Sequence, residues 1–193
     1  MKPKLIYFHG FCSSAASRTV KTLRSEFQDF EVIARDIPVD PDEALPFLQD
    51  LVARESPDLI IGTSMGGMYA QQMFGYRRII VNPAFYMSNQ SKVLTVGEFE
   101  FFNAREDGAT HFTVTPEVIS HFAQMEQHQF DGITPWDREN VWGLFADHDD
   151  LVNGEPVFLQ HYSNIIRFPG EHRLSPEVIH DTVIPLIRQI LAK

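Results

Sequence analysis

The chain has 193 residues, 44% of them apolar, and a formal net charge of −10. That length and apolar content suit one domain with its own core and exclude a disordered chain. The negative balance excludes a general nucleic-acid binder or a protein held on anionic lipid, and the single cysteine, Cys12, excludes an internal disulfide or a thiolate metal cluster.

In chain order, "KLIYFHG" (residues 4–10) predicts a buried strand. Its apolar run is too short for a signal-peptide core or a membrane helix, so the expectation is a soluble, cytoplasmic protein with no membrane span. "SAASRTVKTLRSEF" (14–27) predicts a helix and "FEVIARDIP" (30–38) a strand. "DPDEALPFLQDLVARE" (40–55) predicts a helix capped by Asp40, with Ala44, Phe47, Leu48 and Leu51 at helical spacing and Pro46 set to delay or kink it. "DLIIGTS" (58–64) is a strand, "MGGMYAQQMFG" (65–75) a helix ended by Gly75, and "RRIIVNPA" (77–84) a strand. Residues 85–139 break the rhythm: long and irregular, with a helix at 116–127 and a charged "REDG" (105–108) that reads as a solvated turn. The alternation then resumes. "NVWGLFAD" (140–147) is a strand, 155–162 a helix, "NIIRFPG" (164–170) a strand, and a terminal helix starts from the cap Ser175 with Pro176 at its first position.

Strands that are apolar throughout and alternate with helices predict an α/β fold. The expected form is a mostly parallel sheet of about six strands with helices on both faces. The expected organisation is a single domain over 1–193 with an irregular insertion at about 85–139, long enough for a small helical lid.

The chemistry concentrates at Gly62-Thr63-Ser64-Met65-Gly66, between an apolar strand and a helix. In a nucleophile elbow the serine occupies a strained turn with Oγ exposed, and the flanking glycines let strand and helix approach closely. The plainer alternative is that Ser64 caps the helix and the glycines ease a tight connection. There is no Gly-Lys-Ser/Thr for a P-loop and no Gly-x-Gly-x-x-Gly for a dinucleotide.

A serine hydroxyl needs a base, and the base an orienting acid, in the chain order serine, acid, histidine. The acid is sought after "VWGLFA", where "DHDD" offers Asp147, Asp149 and Asp150. Asp149 is favoured because "ADHDDLV" fits small-x-x-Asp-x-x-Val, with Asp147 the alternative. As a metal site "DHD" is poor, its ligands lying side by side with no third cluster. The base is sought after the last strand, where His172 sits in a loop; His180, the rival, falls inside the terminal helix. His111, His121, His128 and His161 read as solvent-facing. The oxyanion hole needs backbone amides: Met65 N–H, just after the nucleophile, and Phe11 N–H in the loop after the first strand. His9 reads as a hydrogen-bonded scaffold residue. Cys12 reads as structural or incidental and, lying beside the site, as open to thiol reagents.

Taken together, "IYFHGFCSSAAS", "GTSMGGMYA", "VNPAF", "DDLVN" and "PGEHRLS" resemble the α/β-hydrolases, and more closely the small bacterial YqiA-type esterases. The likeness runs over nearly the whole chain. It departs at Pro-Gly-Glu-His-Arg-Leu, where the family often has Gly-Gly-Asp/Asn-His-x-Phe. The resemblance implies hydrolysis of a small-molecule ester or thioester through an acyl-enzyme, with Ser64, Asp149 and His172 catalytic and no metal or organic cofactor. A peptidase or acyltransferase on the same triad and a non-catalytic binding module are the alternatives. The aromatics of 85–139 (Phe85, Tyr86, Phe99, Phe101, Phe102, Phe112) are either core or pocket wall.

Overall fold

Lys4–Phe8 form β1, and Leu5 and Tyr7 point to one face of the sheet while Ile6 and Phe8 point to the other, all four buried. The computed structural model describes residues 2–192. After β1 come α1 (Arg18–Glu26), β2 (Glu31–Ala34), α2 (Pro41–Glu55), β3 (Leu59–Thr63), α3 (Met65–Gln71) and β4 (Arg78–Val81). A 3₁₀ turn (Met87–Asn89) leads to β5 (Gly97–Glu100), β6 (His111–Val114), α4 (Pro116–Glu126) and α5 (Pro135–Asn140). The chain ends with β7 (Val141–Ala146), α6 (Glu155–Phe158), β8 (Asn164–Phe168), α7 (Pro176–Val178), a π-helical turn (Ile179–Val183) and α8 (Ile184–Leu191).

Six strands form one parallel sheet in the order β2-β1-β3-β4-β7-β8. Each face carries its own core. Ile6, Phe8 and Ile60 pack with Leu48, Met68 and Phe122 from α2, α3 and α4. Leu5, Ile61 and Ile79 pack with Val20, Leu23 and Ile187 from α1 and α8. The chain leaves β1 toward β2 on one side and returns to β3 on the other, so the order reverses between β1 and β3. In open parallel sheets a crevice opens beyond the carboxyl ends of the strands at such a point. The loop at 9–17 and Ser64 lie there.

The sheet has the expected form, while several elements differ from their sequence expectation. The first helix starts at Arg18 rather than 14. Ser14 Oγ donates to Ala104 O (2.8 Å) and Ala15 N–H to Asp36 Oδ1 (2.8 Å), so tertiary bonds hold these residues out of the helix until Ser17 caps it. Pro46 neither delays nor breaks α2, which runs through it from Pro41. The proline sits in the second turn, where one backbone hydrogen bond is lost. The terminal helix is not uniform: its π-helical turn lies just before Pro185, whose missing N–H and bulky ring disturb the bond to the preceding turn.

The segment 85–139 is less irregular than its sequence suggests. β5 and β6 pair antiparallel, with Phe99 opposite Phe112. Along β5, Glu98 and Glu100 face outward while Phe99 packs toward the core. Arg105 of "REDG" is not a solvated charge: its guanidinium donates to Ile37 O (3.4 Å) and lies over the Phe101 ring, 4.4 Å from the centroid. The end of the segment is anchored by a fully buried ion pair between Arg78 of β4 and Asp137 of α5. Asp137 also accepts from Gly75 N–H (2.9 Å) and closes a capping box with Thr134.

Candidate active site

Only Ser64 separates β3 from α3. It adopts φ 56° and ψ −121°, a conformation that costs a non-glycine residue about 1–3 kcal/mol and that its surroundings must enforce. They do so through the backbone: Ser64 N–H donates to Val81 O (2.9 Å), and Ser64 O accepts from Gly67, Met68 and Ala84 N–H. A Cβ on Gly62 would stand 2.2 Å from Gly66 O, and one on Gly66 would stand 2.2 Å from Phe8 O. Both positions therefore admit only glycine at this turn.

Two loops at later strand ends converge on the serine. After β8, His172 places Nε2 2.9 Å from Ser64 Oγ. After β7, Asp149 places Oδ2 2.8 Å from His172 Nδ1. An ionised carboxylate only accepts, so Nδ1 carries the proton and donates, leaving Nε2 to accept from the serine hydroxyl. Asp149 is itself held by its loop: Oδ1 accepts from Leu151 N–H (2.9 Å) and Val152 N–H (3.0 Å). Burial pushes its carboxyl up, but the hydrogen bonds from His172 and these amides outweigh that and leave it below the usual carboxylate value. Asp147 and Asp150 are exposed, and neither carboxylate bonds a histidine among the described residues.

Asn82, given no role of its own by the sequence although it lies within "VNPAF", ties the loops together. It is buried at the end of β4 with φ 41°. Its Nδ2 donates to His172 O (2.9 Å) and its Oδ1 accepts from Ala146 N–H (2.9 Å). The loops also meet directly, through Asp147 N–H to Phe168 O and His148 N–H to Gly170 O, both 3.0 Å. The only available sequence signal was a small amide side chain at a strand end, before Pro83.

Opposite His172 runs the loop after β1. A Cβ on Gly10 would touch Ser64 Cβ at 3.3 Å, which sets how close the loop passes. Phe11 N–H and Met65 N–H make no hydrogen bond among the described residues. The Phe11 ring packs edge-on against Phe99 and Phe112, with centroids 5.4 and 5.3 Å away. A recess of about 300 Å³ is walled by Asn82, Asp147, Asp149, Glu155 and Arg167, but not by Ser64 or His172.

His9 is buried in the same loop. Its Nδ1 donates to Gly10 O (2.9 Å), and its Nε2 accepts from Ile37 N–H (3.0 Å). Burial lowers its pKa from 6.5 to about 4. A histidine lowered in this way binds more protons unfolded than folded. Its stabilising contribution is therefore complete above pH 6.5 and lost as pH falls toward 4, with a full difference of about 3 kcal/mol. Denaturant unfolding at pH 7 and pH 4.5 should show this loss in the native chain and a shallower dependence in His9→Asn. Equal slopes would remove His9 from the acid response.

Of the remaining sequence candidates, Cys12 is buried with φ 59°, and burial pushes its thiol up to about 11 against the opposing pull of Arg173. That suppresses the thiolate on which reaction with thiol reagents depends. His180 is exposed, with Nδ1 3.8 Å from Glu26 Oε1, and it does not meet Ser64. His121 and His161 are not simply solvent-facing. His121 Nδ1 bonds Asp40 (2.9 Å), raising its pKa, and His161 stacks on Phe130 with centroids 4.1 Å apart. Asp40, Asp42 and His121 offer ligand atoms within 4.8 Å of one another, and here they act as a helix cap and a clamp between α2 and α4.

A family profile, the uncharacterised protein family UPF0227, matches residues 4–136. That span includes the elbow and ends before the loops that carry Asp149 and His172. The comparison with curated proteins returned no match. Among solved structures, Est1E from Butyrivibrio proteoclasticus aligns with a TM-score of 0.68 at 16% identity, over 99% of this chain and 89% of its own. The Paleococcus ferrophilus monoacylglycerol lipase aligns with a TM-score of 0.66 at 13% identity, over 98% and 94%. A methylesterase from Arabidopsis gives 0.61 at 12%, over 97% and 99%. At these identities the likeness speaks to the fold. The chain belongs to the UPF0227 family and has the α/β-hydrolase fold.

Proposed function

We propose that this chain is a one-domain serine hydrolase acting on small carboxylic esters or thioesters. The observation that carries the reading is the hydrogen-bond chain from Ser64 Oγ to His172 Nε2 (2.9 Å) and from His172 Nδ1 to Asp149 Oδ2 (2.8 Å). The esterases and lipase among the solved structures of like fold support the same class. Ser64 Oγ attacks the acyl carbonyl as its proton passes to His172 Nε2, and Asp149 holds the imidazolium that forms. The carbonyl oxygen becomes an oxyanion received by Phe11 and Met65 N–H, neither of which has a hydrogen-bond partner among the described residues. Collapse of the adduct breaks the bond to the alcohol or thiol, which takes the proton from His172 as it leaves. Water then adds to the acyl-serine as His172 takes its proton, and collapse breaks the bond to Ser64 Oγ, which recovers that proton from His172 Nε2 as the carboxylic acid departs. No step calls for a metal or an organic cofactor.

The test is covalent labelling. A fluorophosphonate probe should mark the native protein at one serine, and peptide mapping should find the label on Ser64. A protein that is folded yet unlabelled would leave a binding module as the better reading.

A further inference from the structure

Arg173 directly follows the histidine and is exposed. Its guanidinium carbon lies 5.0 Å from the centroid of the Phe102 ring. Phe102 is 63% exposed, so one face of its ring is open to stack against the guanidinium. Its backbone is nevertheless fixed. Phe102 N–H donates to Cys12 O (2.8 Å), Asn103 Nδ2 to Ser13 Oγ (3.3 Å), and Ser14 Oγ to Ala104 O (2.8 Å). Residues 102–104 are thus laced to the loop that carries Phe11. The contact between Arg173 and Phe102 therefore spans from the His172 loop to the Phe11 loop, the two walls on either side of Ser64.

This cation has no counter-ion among the described residues. Acidic residues outnumber basic ones, 26 to 16, yet no carboxylate comes within 4.0 Å of Arg173 among the described residues. Arg78, Arg167 and Arg105 are committed to Asp137, Glu155 and Ile37 O, whereas exposed Arg18 and Arg35 also stand without a carboxylate within 4.0 Å; what sets Arg173 apart is its place beside His172 with its guanidinium over Phe102. A guanidinium braced on a ring keeps donors free at its edge, in the fork that fits a carboxylate or phosphate. Bracing also lowers the entropy lost when an anion binds.

We propose that Arg173, braced on Phe102, is a specificity residue at the mouth of the site that recognises an anionic group, carboxylate or phosphate, carried by the ester substrate. This rests on the hydrolase reading above. The anion belongs either to the acyl part or to the alcohol part, and the same arginine serves both.

Three p-nitrophenyl substrates separate the cases: the neutral butyrate, the half-ester of glutaric acid, and a butyrate whose nitrophenyl ring carries a carboxylate. Each kcat/KM is divided by the rate of alkaline hydrolysis of that ester. In the native protein at low salt, at least one anionic ester should exceed the neutral one by about tenfold, the size of one charge-assisted hydrogen bond. Arg173→Gln should remove that ratio, Arg173→Lys should keep part of it, and added salt should reduce it. The ester that responds tells which side bears the anion. A ratio unchanged in Arg173→Gln for both anionic esters would overturn the proposal.

A second measurement does not depend on turnover. Ser64→Ala protein is titrated calorimetrically with monobutyl glutarate, whose carboxylate lies on the acyl side, with butyryloxyacetate, whose carboxylate lies on the alcohol side, and with the neutral dibutyl glutarate. Weaker binding of either monoanion, but not of the neutral ester, when Arg173→Gln is added supports the proposal, and indifference of both monoanions overturns it. If no ester is hydrolysed and the fluorophosphonate leaves Ser64 unmarked, the hydrolase reading fails while this titration still decides the anion site.

Discussion

Ser64→Ala is expected to lower kcat/KM for a p-nitrophenyl ester by about four orders of magnitude or more, with the fold intact. The magnitude follows from what remains. Without Oγ there is no acyl-enzyme, and only the amides of Phe11 and Met65 and whatever binding the cleft supplies can assist water. The fold should persist because the elbow is held by backbone bonds to Val81, Gly67, Met68 and Ala84, none of which involve the hydroxyl. Turnover by purified variant and native protein, with circular dichroism as the control, checks it. Residual activity above roughly a tenth of native would mean the nucleophile is elsewhere.

The second large effect is expected at the acid. Asp149→Asn should cost about 10⁴-fold in kcat, while Asp147→Asn and Asp150→Asn should cost little. A carboxylate at 149 accepts from His172 Nδ1 and, on the proposed mechanism, would stabilise the cation that forms during the reaction. A carboxamide can turn its NH₂ toward that nitrogen, fixing the other tautomer and leaving Nε2 unable to accept from Ser64. The neighbouring carboxylates are exposed and bond no histidine, so losing them changes only a distant charge. Kinetics of the three variants on one neutral ester decide the matter. A larger loss at Asp147 than at Asp149 would move the acid by two residues.

What could be read from the sequence and what could not divide along physical lines. The sheet could be read because strands buried on both faces have to be apolar throughout, as Leu59-Ile60-Ile61 are. The elbow could be read because its geometry admits one residue type at two places: a side chain on Gly62 or Gly66 would enter another backbone. The candidate partners could be narrowed by strand ends, since His172 follows β8 and His180 lies in a helical stretch. β5 and β6 were missed although Glu98, Phe99, Glu100 and Phe101 alternate polar and aromatic, because four-residue strands give a short pattern beside a charged turn. Asn82 and Arg105 were missed for a different reason. Their partners, His172 and Ile37, lie 90 and 68 residues away, and no local periodicity encodes such bonds.

The order of the strands in the sheet also bears on how the chain is born. β2, β1, β3 and β4 are contiguous in the sheet and are complete by residue 81, whereas β7 and β8 come only from residue 141 onward. During synthesis, the Arg78–Val81 strand therefore presents an open edge of backbone donors and acceptors for some sixty residues, a template for wrong pairing until β7 arrives. Over the same interval Ser64 can already occupy its turn with neither histidine nor aspartate beside it. On the proposed mechanism, a chain cut short before β8 would therefore hold the Ser64 turn without the histidine that the reaction calls for.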